Sequence, residues 1–293
     1  MNDFQGEIAA MLAAGLWAIA STIYGRLGRS IPPLQLNLIK GVVAIALLLL
    51  TILIRGEFFN ISPLPTCLLL LSGVVGIGLG DTAFLAAINN LGARRVLLIQ
   101  TLAPPMTAIL AQIFLQERLN LVAWCGIALT ILGVAWVVTE RVPNTSESTT
   151  DLWRGIGFAL LSTICLAIGA ILSRAALANT NISPLWAGLL RLIAAVLILL
   201  IWIPFKGQLR IQTPSTRVIL SAVFASFCGT FLGIWLQQVA IKFTAVGIAT
   251  TLLQTSPLFV IPISLAIGEK VSLRGIIGVV IAIAGIALLF YLK

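Results

Sequence analysis

Residues 1–139 and 154–293 read as two copies of one unit of five apolar stretches, and this repeat limits the possible folds more than any other feature. Gly6 matches Gly155, and Pro33-Leu34 matches Pro184-Leu185. Lys40 and Arg191 each stand seven residues beyond the matching proline. Gly80 pairs with Gly229, and Gln100-Thr101 before Pro104 and Pro105 pairs with Gln254-Thr255 before Pro257. Glu117 matches Glu269, while Gly126 and Gly133 match Gly278 and Gly285. The offset stays between 149 and 154, so the series is ordered from end to end with small insertions.

The solvent follows from composition. Of 293 residues, 60% are hydrophobic and 9% charged, with a mean hydropathy of +1.12. Soluble domains carry about 25% charged residues. Apolar stretches of about 20 residues recur, each long enough to cross a bilayer core of about 30 Å. Hydrocarbon leaves no partner for an open backbone, so these stretches are helices. The expected fold is an all-α membrane protein with ten transmembrane helices. The spans fall near 8–28, 34–54, 66–89, 95–115, 121–139, 155–177, 184–204, 217–239, 245–267 and 272–292. The first is too long for the apolar core of a signal peptide and lacks a basic leader, so it reads as a retained span. Residues 140–153 form a polar linker rich in Ser, Thr and Glu. Five is odd, so the two copies lie in opposite orientations, giving two inverted five-helix repeats. That is a common architecture of secondary transporters, with the substrate site between the repeats near the midplane. The expected location is the cell membrane, multi-pass, of the bacterial inner or plasma membrane type.

The charges agree with a bilayer. The net charge is +9, but the 18 basic residues are spread over nearly every loop, without the run or aromatic interleaving of a nucleic-acid surface. Headgroups and topology account for them, and no nucleic-acid partner is expected. Counting basic residues on the two sides favours termini outside. There is no histidine, and the four cysteines form no C-x-x-C pair, so no metal or other cofactor is expected. Cys67, Cys125, Cys165 and Cys228 read as small core residues.

Several local patterns resemble the drug/metabolite transporter superfamily, in particular its ten-helix EamA-type group. They are Leu16-Trp17-Ala18 in the first span, the basic residues Lys40 and Arg191 early in spans two and seven, and the run from Asn90 to Pro104. Leu115-Gln-Glu-Arg-Leu119 and Ile267-Gly-Glu-Lys-Val271 resemble the group's L-G-E-R-[LV] turn, with Gln116 in place of the usual Gly. The resemblance implies export or exchange of small metabolites, often amino acids, through a central cavity lined by spans 1, 3, 4, 6, 8 and 9. It also implies both termini in the cytoplasm, against the charge count.

The candidate site residues follow from burial cost and helical spacing. Asp81 is the one acid well inside a span, and an embedded carboxylate defaults to a functional role. It could carry a coupling proton, bind a substrate amine, or pair with an embedded cation. Lys40 and Arg191 could attract an anionic group such as a carboxylate, or snorkel to the interface. Trp17, Ser21 and Tyr24 share one face of span one, as substrate contacts or as packing. Gln100, Pro104 and Thr107 on span four, and Thr250, Gln254 and Pro257 on span nine, mark helices that proline breaks or bends. Paired interruptions in the two halves are a pointer to a transport site. Trp235, Gln237 and Gln238 near the end of span eight suit a gate or an interface. Gly76-x-x-x-Gly80 and Gly229-x-x-x-Gly233 suit close helix packing. The substrate-binding set is therefore Trp17, Ser21, Tyr24, Asp81, Gln100, Thr107, Arg191 and Gln254, with Asp81 also the candidate coupling residue and Pro104 and Pro257 the helix breaks.

Three other readings compete. Gly78-Leu79-Gly80-Asp81 matches the G-L-G-D signature of presenilin-like intramembrane aspartyl proteases, but that chemistry needs two carboxylates sharing a proton. The other aspartates, Asp3 and Asp151, lie in the N-terminal segment and the linker. No H-E-x-x-H or G-x-S-x-G supports another hydrolase. A channel or passive membrane protein is the alternative to a carrier. The partners expected are a small-molecule substrate, the lipid bilayer and a coupling proton, with the chain a monomer or homodimer.

Overall fold

The computed structural model describes residues 4–28, 31–57, 62–91, 93–138, 149–205, 216–259 and 273–291. The first half contains α1 (Gln5–Leu27), α2 (Pro33–Arg55) and α3 (Pro63–Leu91). It continues with α4 (Ala93–Gln100), α5 (Ala103–Phe114) and α6 (Leu121–Val138). The second half contains α7 (Thr149–Leu177), α8 (Pro184–Phe205), α9 (Thr216–Phe243), α10 (Val246–Leu253) and α11 (Leu273–Tyr291). Among the described residues, eight helical spans are long and apolar enough to cross a bilayer, and Leu121–Trp136 is a shorter apolar helix. The expected span 245–267 is described only as far as Phe259. The protein is an all-α membrane protein.

Prolines open several of these helices. Pro33 and Pro63 stand in the first turn, where the missing N–H has no intrahelical partner to lose. α2 ends at Gly56, whose φ of 64° supplies the left-handed cap that a side chain would resist. α7 starts at Thr149, inside the stretch expected to be linker.

The halves interlock symmetrically. α1 packs along α9, and its counterpart α7 packs along α3. α2 packs on α8, and α6 pairs with α11. First against third, second against second and fifth against fifth is the pairing an inverted repeat generates. Small residues let the backbones approach. A Cβ on Gly133 would overlap the Ala282 backbone, so α6 and α11 cross at that glycine. Leucines such as Leu53, Leu132 and Leu220 stay exposed on the outer surface, as expected of helices that face lipid.

Each third span contains a π-helical stretch at a matching place. These are Gly73–Asp81 in α3 and Ser226–Leu232 in α9. Widened turns strand carbonyls inside the bilayer, and neighbouring side chains satisfy them. Asn37 donates to the Ile77 carbonyl at 3.0 Å, and Thr82 donates to that of Gly78 at 2.6 Å. In α9 the indole Nε1 of Trp17 donates to the Gly229 carbonyl at 2.8 Å. The other half also holds α3 just before its π-helical stretch, where Ser72 donates to Gly169 of α7 at 2.7 Å.

Candidate functional site

The two π-helical stretches and the two interrupted helices surround one cavity between the halves. α4 ends at Gln100 and α5 begins at Ala103, with a turn at Thr101–Leu102. α10 ends at Leu253, and helix resumes at Ser256 after a turn at Gln254–Thr255. The two breaks touch, because the Gln254 amide donates to the Gln100 carbonyl at 3.3 Å. Gln100 in turn donates from Nε2 to Ser162 Oγ at 3.2 Å.

The cavity measures about 170 Å³. At about 10–15 Å³ per water-sized group, it holds roughly a dozen non-hydrogen atoms. That is the size of a small metabolite. Trp17, Ser21 and Tyr24 of α1 form one wall, with Phe84 and Leu85 of α3, and Leu166, Ile234 and Pro257 from the second half.

Three charged side chains line it: Lys40, Asp81 and Arg191. Lys40 and Asp81 form an ion pair, with 10% and 31% of the two side chains exposed. The Lys40 ammonium also lies 5.9 Å from the centre of the Tyr24 ring, a cation–π distance. Tyr24 shares a hydrogen bond of 3.1 Å with Thr230, the repeat counterpart of Asp81. Arg191 is 3% exposed, and its Nη1 donates to Gln237 Oε1 at 3.2 Å. Its Nε is buried with no partner among the described residues.

The glycines of α3 make room for that arginine. A Cβ on Gly73 would collide with the Arg191 backbone, and one on Gly76 would sit 3.3 Å from Nη2. The G-x-x-x-G of α9 makes room for Trp17, since a Cβ on Gly229 would strike Ala20 and one on Gly233 would strike the indole.

Trp17, Ser21, Tyr24, Asp81, Gln100, Arg191, Gln254 and Pro257 thus line the cavity. Thr107 and Pro104 do not. The turn at 101–102 breaks the helical spacing that would align Thr107 with Gln100, and the fully buried Thr107 hydroxyl donates to Ala103 at 2.8 Å. Pro104 is buried in the first turn of α5, on the far side of the break. Thr250 is also buried, its hydroxyl turned back to Val246 at 2.8 Å. Lys40 and Arg191 do not snorkel: both are buried and face inward. Gln237 lines the cavity, whereas Gln238 is fully buried and bonded to Ser173. Glu7 is buried in the first turn of α1. Cys67 and Cys125 are exposed on the outside, not in the core. Glu269 and Lys270 lie outside the described residues.

Sequence reasoning left Thr230, Ser162, Phe84 and Asn37 out of the candidate site. Thr230 carried a signal, as the repeat partner of Asp81. Asn37 carried one too, as a polar residue one turn before Lys40. The neighbour of the Asp81 carboxylate is a lysine, where an aspartyl protease needs a second acid.

A second polar cluster lies among the connections at the end of the molecule away from the α3–α4 turn. Arg174, near the end of α7, is ion-paired with Glu117 in the α5–α6 connection. Its Nη1 donates to the carbonyls of Ile241 and Lys242, each at 2.7 Å, and Glu117 accepts the Val246 N–H at 3.0 Å. The cavity lining reaches instead toward the α3–α4 turn, through Ile88 and Leu97.

The model of a family described as the EamA-like transporter family matches residues 4–139 and again residues 153–291. A curated relative from Bacillus subtilis (strain 168), the uncharacterized transporter YdfC, is 25% identical over 301 residues, covering 99% of this chain and 92% of its own. One solved crystal structure superposes with a TM-score of 0.79 at 14% identity, covering 98% of this chain and 96% of that one. At that identity the likeness speaks for the fold alone.

Proposed function

Because the chain belongs to the EamA-like transporter family, a membrane transporter family and not an enzyme family, we propose that it is a secondary carrier that exports small metabolites such as amino acids by alternating access. The observation that carries this reading is the cavity itself. It lies between the halves, at the level of two interrupted helices, and is walled by side chains from both repeats. Half-helices that meet at a central cavity offer free backbone groups to a cargo and can part as one half rocks against the other. Trp17 and Gln254 are cargo contacts in this reading.

Coupling to a proton at Asp81 is the second part of the proposal. The Asp81 side chain stands on the cavity wall, 31% exposed and ion-paired with Lys40, so a proton carried there would meet the cargo. Asp81→Asn is then expected to abolish proton-driven uptake while leaving counterflow.

Counterflow in proteoliposomes, with a panel of labelled amino acids and other metabolites, tests the carrier. Saturable accumulation of one class is expected, and a channel would give none. Trp17→Ala and Gln254→Ala should weaken cargo binding more than they lower protein yield. An equal loss in both would make these packing residues. An unchanged pH dependence in Asp81→Asn would remove the proton from the mechanism.

A further inference from the structure

Cargo charge can be read from the cavity wall. Lys40 and Arg191 are two cations and Asp81 is one anion, so the charged lining carries a net +1. In a low-dielectric interior such an imbalance is costly, and one negative charge on the occupant removes it. A dianion would reverse the imbalance and a cation would enlarge it. A zwitterion would leave it standing.

The position of the uncompensated charge is also fixed. Lys40 is occupied by Asp81 and backed by the Tyr24 ring. Arg191 has no carboxylate partner among the described residues. Gln237 takes its Nη1, while its Nε is buried and unpartnered. Nε and Nη2 form the side edge of the guanidinium fork, an edge that matches the two oxygens of a carboxylate. The Gly76 backbone lies beside Nη2, where a Cβ would come within 3.3 Å. Apolar and aromatic side chains, Trp17, Phe84 and Ile234, make up much of the remaining wall.

We infer that the cavity selects a small monoanion: a carboxylate docked on Arg191, with an apolar or aromatic body against the lining of Trp17, Phe84 and Ile234. Asp81 repels this ligand and does not bind it. It sets the net charge by neutralising Lys40, so that one negative charge completes the site. The inference rests on the cavity being the cargo site proposed above, and among the small metabolites named there it selects monocarboxylates without an amine over zwitterionic amino acids.

The test is binding to purified protein in detergent by calorimetry, with phenylacetate, its neutral isostere phenylacetamide, and zwitterionic phenylalanine. Phenylacetate is expected to bind most tightly, on the order of 10- to 100-fold better than the amide, the range of a charge-assisted hydrogen bond. Arg191→Gln should erase that preference, and Arg191→Lys should keep part of it. Asp81→Asn should tighten phenylacetate binding, because it raises the net charge of the wall. If Arg191→Gln does not fold, the Asp81→Asn direction decides. Weaker acid binding in Asp81→Asn, tighter binding of phenylalanine than of phenylacetate, equal binding of acid and amide, or no acid binding at millimolar concentration would each overturn the proposal. Acid binding without counterflow would leave the anion site standing and sink the carrier reading instead.

Discussion

The Lys40–Asp81 pair shows how one residue's role depends on a partner that spacing alone does not reveal. Each charge would be expensive in the bilayer interior, and each makes the other tolerable. Removing one partner strands the other. Lys40→Met is therefore expected to lower the melting temperature in detergent more than the double variant Lys40→Met/Asp81→Asn does. The interaction energy from the cycle should be about 0.5–3 kcal/mol. Simple additivity of the two substitutions would mean that the pair is loose and solvated. The sequence shows that Asp81 is embedded and that Lys40 and Arg191 are repeat counterparts. It cannot show which cation Asp81 meets, because that depends on how α2 and α3 rotate about their own axes. Asn37 escaped for the same reason: its amide matters only because a widened turn leaves the Ile77 carbonyl free beside it.

At the scale of the element, the two π-helical stretches are what the glycines are for. A small-residue motif read from sequence predicts close packing, and Gly229 and Gly233 do pack against α1. The widened turns were not legible, because a π-helix has no composition of its own and arises where neighbours can satisfy the displaced carbonyls. Gly73 is the sharpest test. Its Cβ would meet the backbone of Arg191, which cannot swing aside as a side chain would. Gly73→Ala should destabilise the fold by about 1–3 kcal/mol, the usual cost of overpacking. It should also weaken whatever Arg191 binds, since α8 must move. Gly157 is the control, for nothing lies within 4 Å of a Cβ placed there. Gly157→Ala should be neutral or stabilising by about 0.5–1 kcal/mol, from helix propensity alone. Thermal unfolding followed by size-exclusion chromatography separates the two variants, and equal melting temperatures would refute the packing argument. The breaks at 101–102 and 254–255 were foreshadowed by Pro104 and Pro257. The face that Thr107 presents was not, since helical spacing stops counting once the helix is interrupted.

At the scale of the whole molecule, the cavity and the Glu117–Arg174 cluster lie toward opposite ends. The cluster joins three connections: α5–α6 of the first half, the end of α7, and α9–α10 of the second half. It therefore ties the two halves together at the end away from Ile88 and Leu97. For a carrier that alternates, such a contact must break before the cavity can open on that side. Glu117→Gln removes the charge and leaves one acceptor oxygen where the carboxylate offers two, one to the Arg174 Nε–H and one to the Val246 N–H. Losing one or two kcal/mol from the closed state shifts a two-state ratio by about 5- to 30-fold. Spin labels at Arg118 and Asn181, both exposed and on opposite halves, report that end directly. The native protein should give one short distance, and Glu117→Gln should add a second, longer population. Counterflow should be retained, because the cavity lining is untouched. A single unchanged distance in Glu117→Gln would mean that the cluster only staples the fold and that the halves separate elsewhere.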